Sequence, residues 1–238
     1  KSIVLSAAKD NLKPVYNGVY MELHGNKIIF VATDSRRLSK AEVDTFVTYP
    51  DKISFIIPLD TVNHLLSVLD FGRLDIYYTE REIKFCLDAD ITIISRLIDG
   101  QFPNWHQVWP KSKEIDFELT FNKALLIDTL KGALSVYDKK HINFYVNICQ
   151  TSLDNDRQII VQTKNTDNGA FNKKIDVTYV KRNAPVSISF NGQYLLDALM
   201  MDKKESDYVN FSYVHNMAPI IINENYLIMP IKTATTEE

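Results

Sequence analysis

Apolar residues in this chain come mostly in short runs or alternate with polar ones, the period-two signature of β-strands. Such runs fall at 16–23, 27–33, 53–58, 73–79, 82–87, 90–95, 142–149, 157–163, 173–180, 185–190, 207–213, 219–223 and 226–231. Helical spacing organises three other stretches: "PLDTVNHLLSVLD" (58–70), "NKALLIDTLKGALSVY" (122–137) and "NGQYLLDALMM" (191–201). Asn122 and Asn191 open the last two at the N-cap position, where a side-chain oxygen accepts from an otherwise unpaired helical amide.

The pattern repeats. "HLLSVL" (64–69) is similar to "YLLDAL" (194–199), 130 positions apart. "VATD" (31–34) and "VQTK" (161–164) share that spacing, as do "RLI" (96–98) and "YLI" (226–228). Three matches in one order predict two related domains. A shorter echo, "FNKALLIDTL" (121–130) against "FNGQYLLDAL" (190–199), predicts that a domain is itself a duplicated unit of one helix and several strands. The polar stretch Pro110 to Glu118 interrupts the apolar pattern and sets the expected domains at 1–112 and 113–238.

Composition narrows the class. A chain of 238 residues, 45% hydrophobic and 24% charged, is ordinary for one large or two small globular domains. The net charge of -3 means that a nucleic-acid partner must be met by a local basic patch. Cys86 and Cys149 each sit in an apolar strand-like run, which fits a reduced cytosolic protein better than a disulfide framework. No apolar run reaches about 18 residues, so no membrane partner is expected. The opening "KSIVLSAAKDN" lacks a Met, is too soon polar for a signal peptide, and reads as the middle of a helix, which predicts a fragment of a longer protein.

Catalytic chemistry is hard to find. No GxGxxG or P-loop run appears among the seven glycines. His24, His64, His106, His141 and His215 are scattered without metal-ligand spacing, so neither a metal nor a cofactor is expected. "DFG" at 70–72 has no accompanying kinase motifs and reads as a helix end. "VATDSRRLSK" (31–40) is most simply a strand turning a corner, Thr33-Asp34-Ser35 forming a turn whose side chains bond backbone amides. A β-rich enzyme domain using Asp34 and Arg37 is the less favoured alternative, because no base or nucleophile accompanies them.

Several motifs resemble the bacterial DNA polymerase III beta subunit, the sliding-clamp family. "VATDSRRLS" is similar to its ATDGHRLA segment, and "FIIPLDTVNHLLSVLD" to the strand and helix that follow. "ISRLIDGQFPNWHQVWP" (94–110) is close to its SRLIDGxFPDYxxVIP. "NGVYMEL" (17–23), "FNGQYLLDAL" and "YLIMPIK" (226–232) match its LNGVLFE segment, last helix and last strand. The resemblance covers nearly the whole chain, in the order of the family's second and third domains, the former apparently truncated at its start.

This resemblance implies an α+β DNA-clamp fold, two repeated domains with antiparallel sheets outside and two helices each on the inner face. It implies a processivity factor rather than an enzyme: a cytoplasmic, homodimeric ring in the full-length protein that encircles duplex DNA without reading sequence. Short linear motifs of the polymerase III catalytic subunit, clamp loader and repair polymerases would enter a groove. Its deep half would be Tyr16, Thr33, Ser35, Arg36, Arg37, Leu38, Pro103, Gln107, Val108, Leu227 and Met229. Its shallow half would be Lys13, Pro14, Asn191, Tyr194, Met217, Pro219, Pro230, Ile231 and Lys232. DNA-facing candidates on or near the helices are Lys123, Lys131, Lys139, Lys140, Lys203 and Lys204.

Three departures bear on partner affinity. The family's Gly-His pair is Ser35-Arg36, the Arg after its FPDY is Gln107, and an aromatic pair before the NG motif is Pro14-Val15. By pattern alone, Arg36 and Arg37 are a solvated face, and Leu227 and Met229 are strand-core residues. A clamp-fold interaction module without a DNA role is a further alternative. Lacking one ring interface, the chain is expected to be open or monomeric, and "TATTEE" reads as a tail.

Overall fold

The computed structural model describes the chain except residues 1, 10–11, 70–72, 88–90, 111–114, 116, 137–144, 151–157, 166–168, 182–186, 203–205, 215–217 and 232–238. It forms two compact units, Lys1–Asn104 and Trp105–Glu238. They part ahead of the 112/113 position expected from the polar stretch, because the short helix after Asn104 groups with the second unit.

The first unit is built on a long antiparallel ribbon, β1 (Gly18–Thr33) and β2 (Arg37–Pro58), paired from Gly18↔Pro58 to Thr33↔Leu38 with register shifts on either side of Gly25. Gly18 is required: a Cβ there would lie 2.6 Å from the Ile57 carbonyl oxygen of the partner strand. β2 runs into α1 (Leu59–Val68), which buries Thr61 and Leu65. A three-stranded antiparallel sheet follows: β3 (Leu74–Tyr78), β4 (Glu82–Leu87) and β5 (Ile91–Arg96). Met21, Leu23, Phe55, Ile57, Leu65, Ile83 and Phe85 form the core. The opening segment, read from sequence as helical, makes only a 3-10 turn at Val4–Ser6; a second lies at Pro14–Tyr16. Among its described residues, this unit therefore has one α-helix.

The second unit opens with α2 (Trp105–Val108), β6 (Phe117–Asn122) and α3 (Lys123–Ser135). β7 (Tyr145–Gln150), β8 (Gln158–Asn165), β9 (Gly169–Lys181) and β10 (Ser187–Asn191) lead into α4 (Gly192–Met201). β11 (Tyr208–Tyr213), β12 (Ile220–Ile222) and β13 (Tyr226–Ile228) complete it. Its strands lie in the order β13-β12-β11-β6-β9-β8-β7-β10, every neighbour antiparallel. α3 buries Leu126, Leu130 and Ala133, and α4 buries Leu195, Leu196 and Leu199, in one core with Phe121, Phe190 and Phe211.

The duplication is visible as structure. β6 and β10 both end in Phe-Asn, with Phe121 and Phe190 buried. Asn122 Oδ1 accepts the Leu125 amide at 2.9 Å, and Asn191 Oδ1 accepts the Gln193 and Tyr194 amides at 2.9 and 3.3 Å. Strand, cap and helix thus recur with one chemistry.

Candidate functional site

In the first unit, the expected site residues gather at the β1–β2 turn. Val31 and Ala32 are buried, and Thr33 pairs with Leu38, leaving residues 34–36 to reverse the chain. Asp34 Oδ1 accepts the amides of Arg36 (2.9 Å) and Arg37 (3.0 Å), while its Oδ2 accepts Arg37 Nε at 3.0 Å. Thr33 Oγ1 donates to the Arg37 carbonyl at 2.6 Å and accepts the Ser35 amide at 3.1 Å. Ser35 takes a left-handed φ of 76° to let this happen. Asp34 and Arg37 therefore satisfy each other, and Asp34 acts as the clasp of a turn. Arg36 extends into solvent.

Two neighbouring segments are fixed independently. Tyr16, half-buried, ends the Pro14–Tyr16 turn; its amide donates to the Lys13 carbonyl at 3.1 Å, and its own carbonyl accepts Ala8 N at 2.9 Å. Lys13 and Pro14 are exposed. Pro103 is half-buried and follows Phe102, whose ring stacks on Tyr20 with centroids 4.7 Å apart. Gly100 turns the chain towards them with φ 128°, and a Cβ on it would lie 2.8 Å from Val15 Cγ1.

In the second unit, Gln107 and Val108 are exposed on α2. Asn191 spends its side-chain oxygen on capping α4, in whose first turn Tyr194 is half-buried. Leu227 is buried in β13, as its strand pattern predicts, whereas Met229 just beyond is 39% exposed. Pro219, Pro230 and Ile231 are half-buried. Ile231 N donates to the Ser189 carbonyl at 2.7 Å, which brings the exit of β13 beside β10 and the start of α4. Leu38 is also buried. The large aliphatic side chains of these sets that offer substantial surface, among the described residues, are Val108 (44%) and Met229. Met217 and Lys232 lie outside the described residues.

The lysine candidates divide. Lys131 is exposed on α3. Lys123 does not face outwards as expected: its ammonium donates to the Asp202 carbonyl at 2.6 Å and lies 3.3 Å from the Asp202 carboxylate, with 15% of its side chain exposed. Asn223 Nδ2 also donates to that carboxylate, at 2.7 Å, so Lys123 clips the start of α3 to the end of α4. Lys139, Lys140, Lys203 and Lys204 lie outside the described residues.

Sequence reasoning missed a polar cluster on the β1–β2 ribbon. Buried Glu22 accepts from Tyr20 Oη at 2.8 Å and from Lys52 Nζ at 2.7 Å. Burial pushes the Tyr20 phenol up, with Glu22 adding and Ser54 and Lys52 opposing. The Glu22 hydrogen bond raises Lys52 against a smaller lowering by burial. No local signal marks these residues, because Lys52 meets Glu22 only through ribbon pairing. Phe102 and Ser189, which hold Pro103 and Ile231 in place, were missed for the same reason.

Residues 1–104 match the family model of the DNA polymerase III beta subunit central domain, and residues 147–231 match that of its C-terminal domain. The chain belongs to the DNA polymerase III beta subunit family. The relative named Beta sliding clamp in Mycoplasma capricolum subsp. capricolum is 27% identical over 225 residues, covering 94% of this chain and 57% of the relative. That of Halalkalibacterium halodurans is 28% identical over 248 residues, covering 98% and 61%. The chain thus spans under two thirds of these beta-subunit relatives. Among solved structures, the Pseudomonas aeruginosa DNA polymerase III subunit beta superposes with a TM-score of 0.86 at 20% identity, over 97% of this chain and 62% of the other. The Bacillus subtilis sliding clamp gives 0.85 at 22%, over 98% and 60%. The α+β clamp fold expected from the motifs is the fold observed.

Proposed function

We propose that this chain is the DNA-tethering part of a DNA polymerase processivity factor, a non-catalytic sliding clamp that encircles duplex DNA. The single observation carrying this reading is that its two units match consecutive domains of the beta subunit, in order, while relatives of both carry the name Beta sliding clamp. In this reading the full-length protein is a homodimeric ring in the cytoplasm. Among the described residues, no helix is long and apolar enough to cross a membrane.

The Thr33–Leu38 turn with Tyr16 and Pro103 is one set of peptide-contacting residues in this proposal. Gln107, Val108, Asn191, Tyr194, Pro219, Leu227 and Met229–Ile231 are the other. They receive short linear motifs from the polymerase III catalytic subunit, the clamp loader and repair polymerases. Adaptable Met229, exposed beside a hydrogen-bonded strand exit, suits several apolar partners.

Fluorescence anisotropy of a labelled QLxLF-type peptide tests the groove. Saturable binding that weakens roughly tenfold in Met229→Ala is expected. Absence of binding by folded protein would remove the peptide role. A second reading, a clamp-fold interaction module without DNA, is favoured by the internal use of Lys123. Retention of the full-length protein on a nicked circle, lost when the circle is cut, would exclude it.

A further inference from the structure

Charge at the β1–β2 turn is unevenly spent. Asp34 is the acid of the turn, and both its oxygens are engaged: Oδ1 by two backbone amides, Oδ2 by Arg37. The next acid along β2, Glu42, accepts from Lys27 at 2.9 Å and Lys40 at 3.0 Å. Arg36 is left with its backbone amide fixed at 2.9 Å from Asp34 and, among the described residues, no partner for its guanidinium. Its main chain is therefore held by the turn while its charge remains available. On a chain of net charge -3, this is a local cation presented at a fixed point.

We propose that Arg36 is a specificity-determining residue that reads a carboxylate on the bound peptide. The recognised group is an Asp or Glu side chain next to the peptide's apolar residues, or the peptide's own free C-terminal carboxylate. A guanidinium is suited to either, because its planar fork pairs with two oxygens at once. Arg37 is excluded from the task because Asp34 already holds it. The inference rests on the peptide-binding reading above and names the ligand chemistry that reading leaves open.

The test measures four labelled peptides against wild type and Arg36→Gln. They are an amidated QLALF, an amidated QLDLF, an amidated QLKLF and a QLALF with a free C terminus. Wild type is expected to bind at least one carboxylate-bearing peptide about three- to tenfold more tightly than amidated QLALF, and the lysine peptide more weakly. Preference for QLDLF identifies a side-chain carboxylate; preference for the free terminus identifies the main-chain one. Arg36→Gln should bring the affinities of all four peptides within about twofold of one another, and salt should erode the preference in wild type alone. Equal binding of the four by wild type, or a preference that survives Arg36→Gln, overturns the proposal while the groove stands. No saturable binding of any peptide overturns both.

Discussion

At the scale of single residues, Asp34 shows how a conspicuous acid is used for architecture. Its carboxylate closes a turn by accepting two amides and one guanidinium nitrogen. Asp34→Ala should destabilise the chain by about 2 kcal/mol, because two amides and Arg37 lose their acceptor together. Asp34→Asn, which retains an acceptor but not the charge, should cost about half as much. Urea unfolding checks both; an unchanged midpoint in Asp34→Ala would mean that the turn is held elsewhere. Tyr20 and Lys52 make a pH prediction. Both have raised values, Tyr20 mainly through burial and Lys52 mainly through its bond to Glu22. A group raised on folding stabilises fully below its unfolded value, about 10 for both types, and loses that contribution as pH climbs through the folded value. Thermal midpoints should therefore fall more steeply above about pH 10 in wild type than in Tyr20→Phe. Parallel profiles would contradict the cluster's role.

At the scale of elements, the helices were the most legible part of the sequence. Apolar spacing placed α1, α3 and α4 within a residue or two of their observed ends, and both asparagine caps stand where the sequence puts them. The strands were legible where one face is buried. The middle of β2 was not, because most of Glu42–Lys52 is exposed on both faces and Phe46 breaks the alternation of Ala41, Val43, Val47 and Tyr49. β6 was hidden by the polar stretch that seemed to mark a boundary. At the candidate site, the Asp-Ser turn was readable from local chemistry. The division between buried Leu38 and Leu227 and exposed Val108 and Met229 was not, since it depends on packing between distant segments. The caps carry the next prediction. Asn122→Ala and Asn191→Ala should each cost about 1 kcal/mol by urea denaturation. Lys123→Ala should cost more, about 2–3 kcal/mol, because it takes the Lys123 ammonium away from the nearly buried Asp202 carboxylate. A smaller effect for Lys123→Ala than for either cap would show that the ammonium is not the clip between α3 and α4.

At the scale of the whole molecule, electrostatics limits how DNA can be held. The chain carries -3 overall. On α1, α3 and α4 the described acids are Asp60, Asp128 and Asp197, and the described bases are Lys123 and Lys131. Lys123 is neutralised by Asp202, which leaves Lys131 as the exposed cation of these helices. Adhesive DNA binding depends on several phosphates being neutralised at once, each releasing counterions. Helices with so few available charges cannot grip a duplex strongly, so the hold proposed above has to be topological rather than adhesive. A short linear duplex should therefore show no saturation with this chain below about 100 μM at roughly 0.15 M salt. Any weak binding at low salt should lose close to one unit of its log–log salt slope in Lys131→Ala. Sub-micromolar binding of linear duplex at the higher salt would contradict a topological hold. It would move the source of affinity to charges off the three helices.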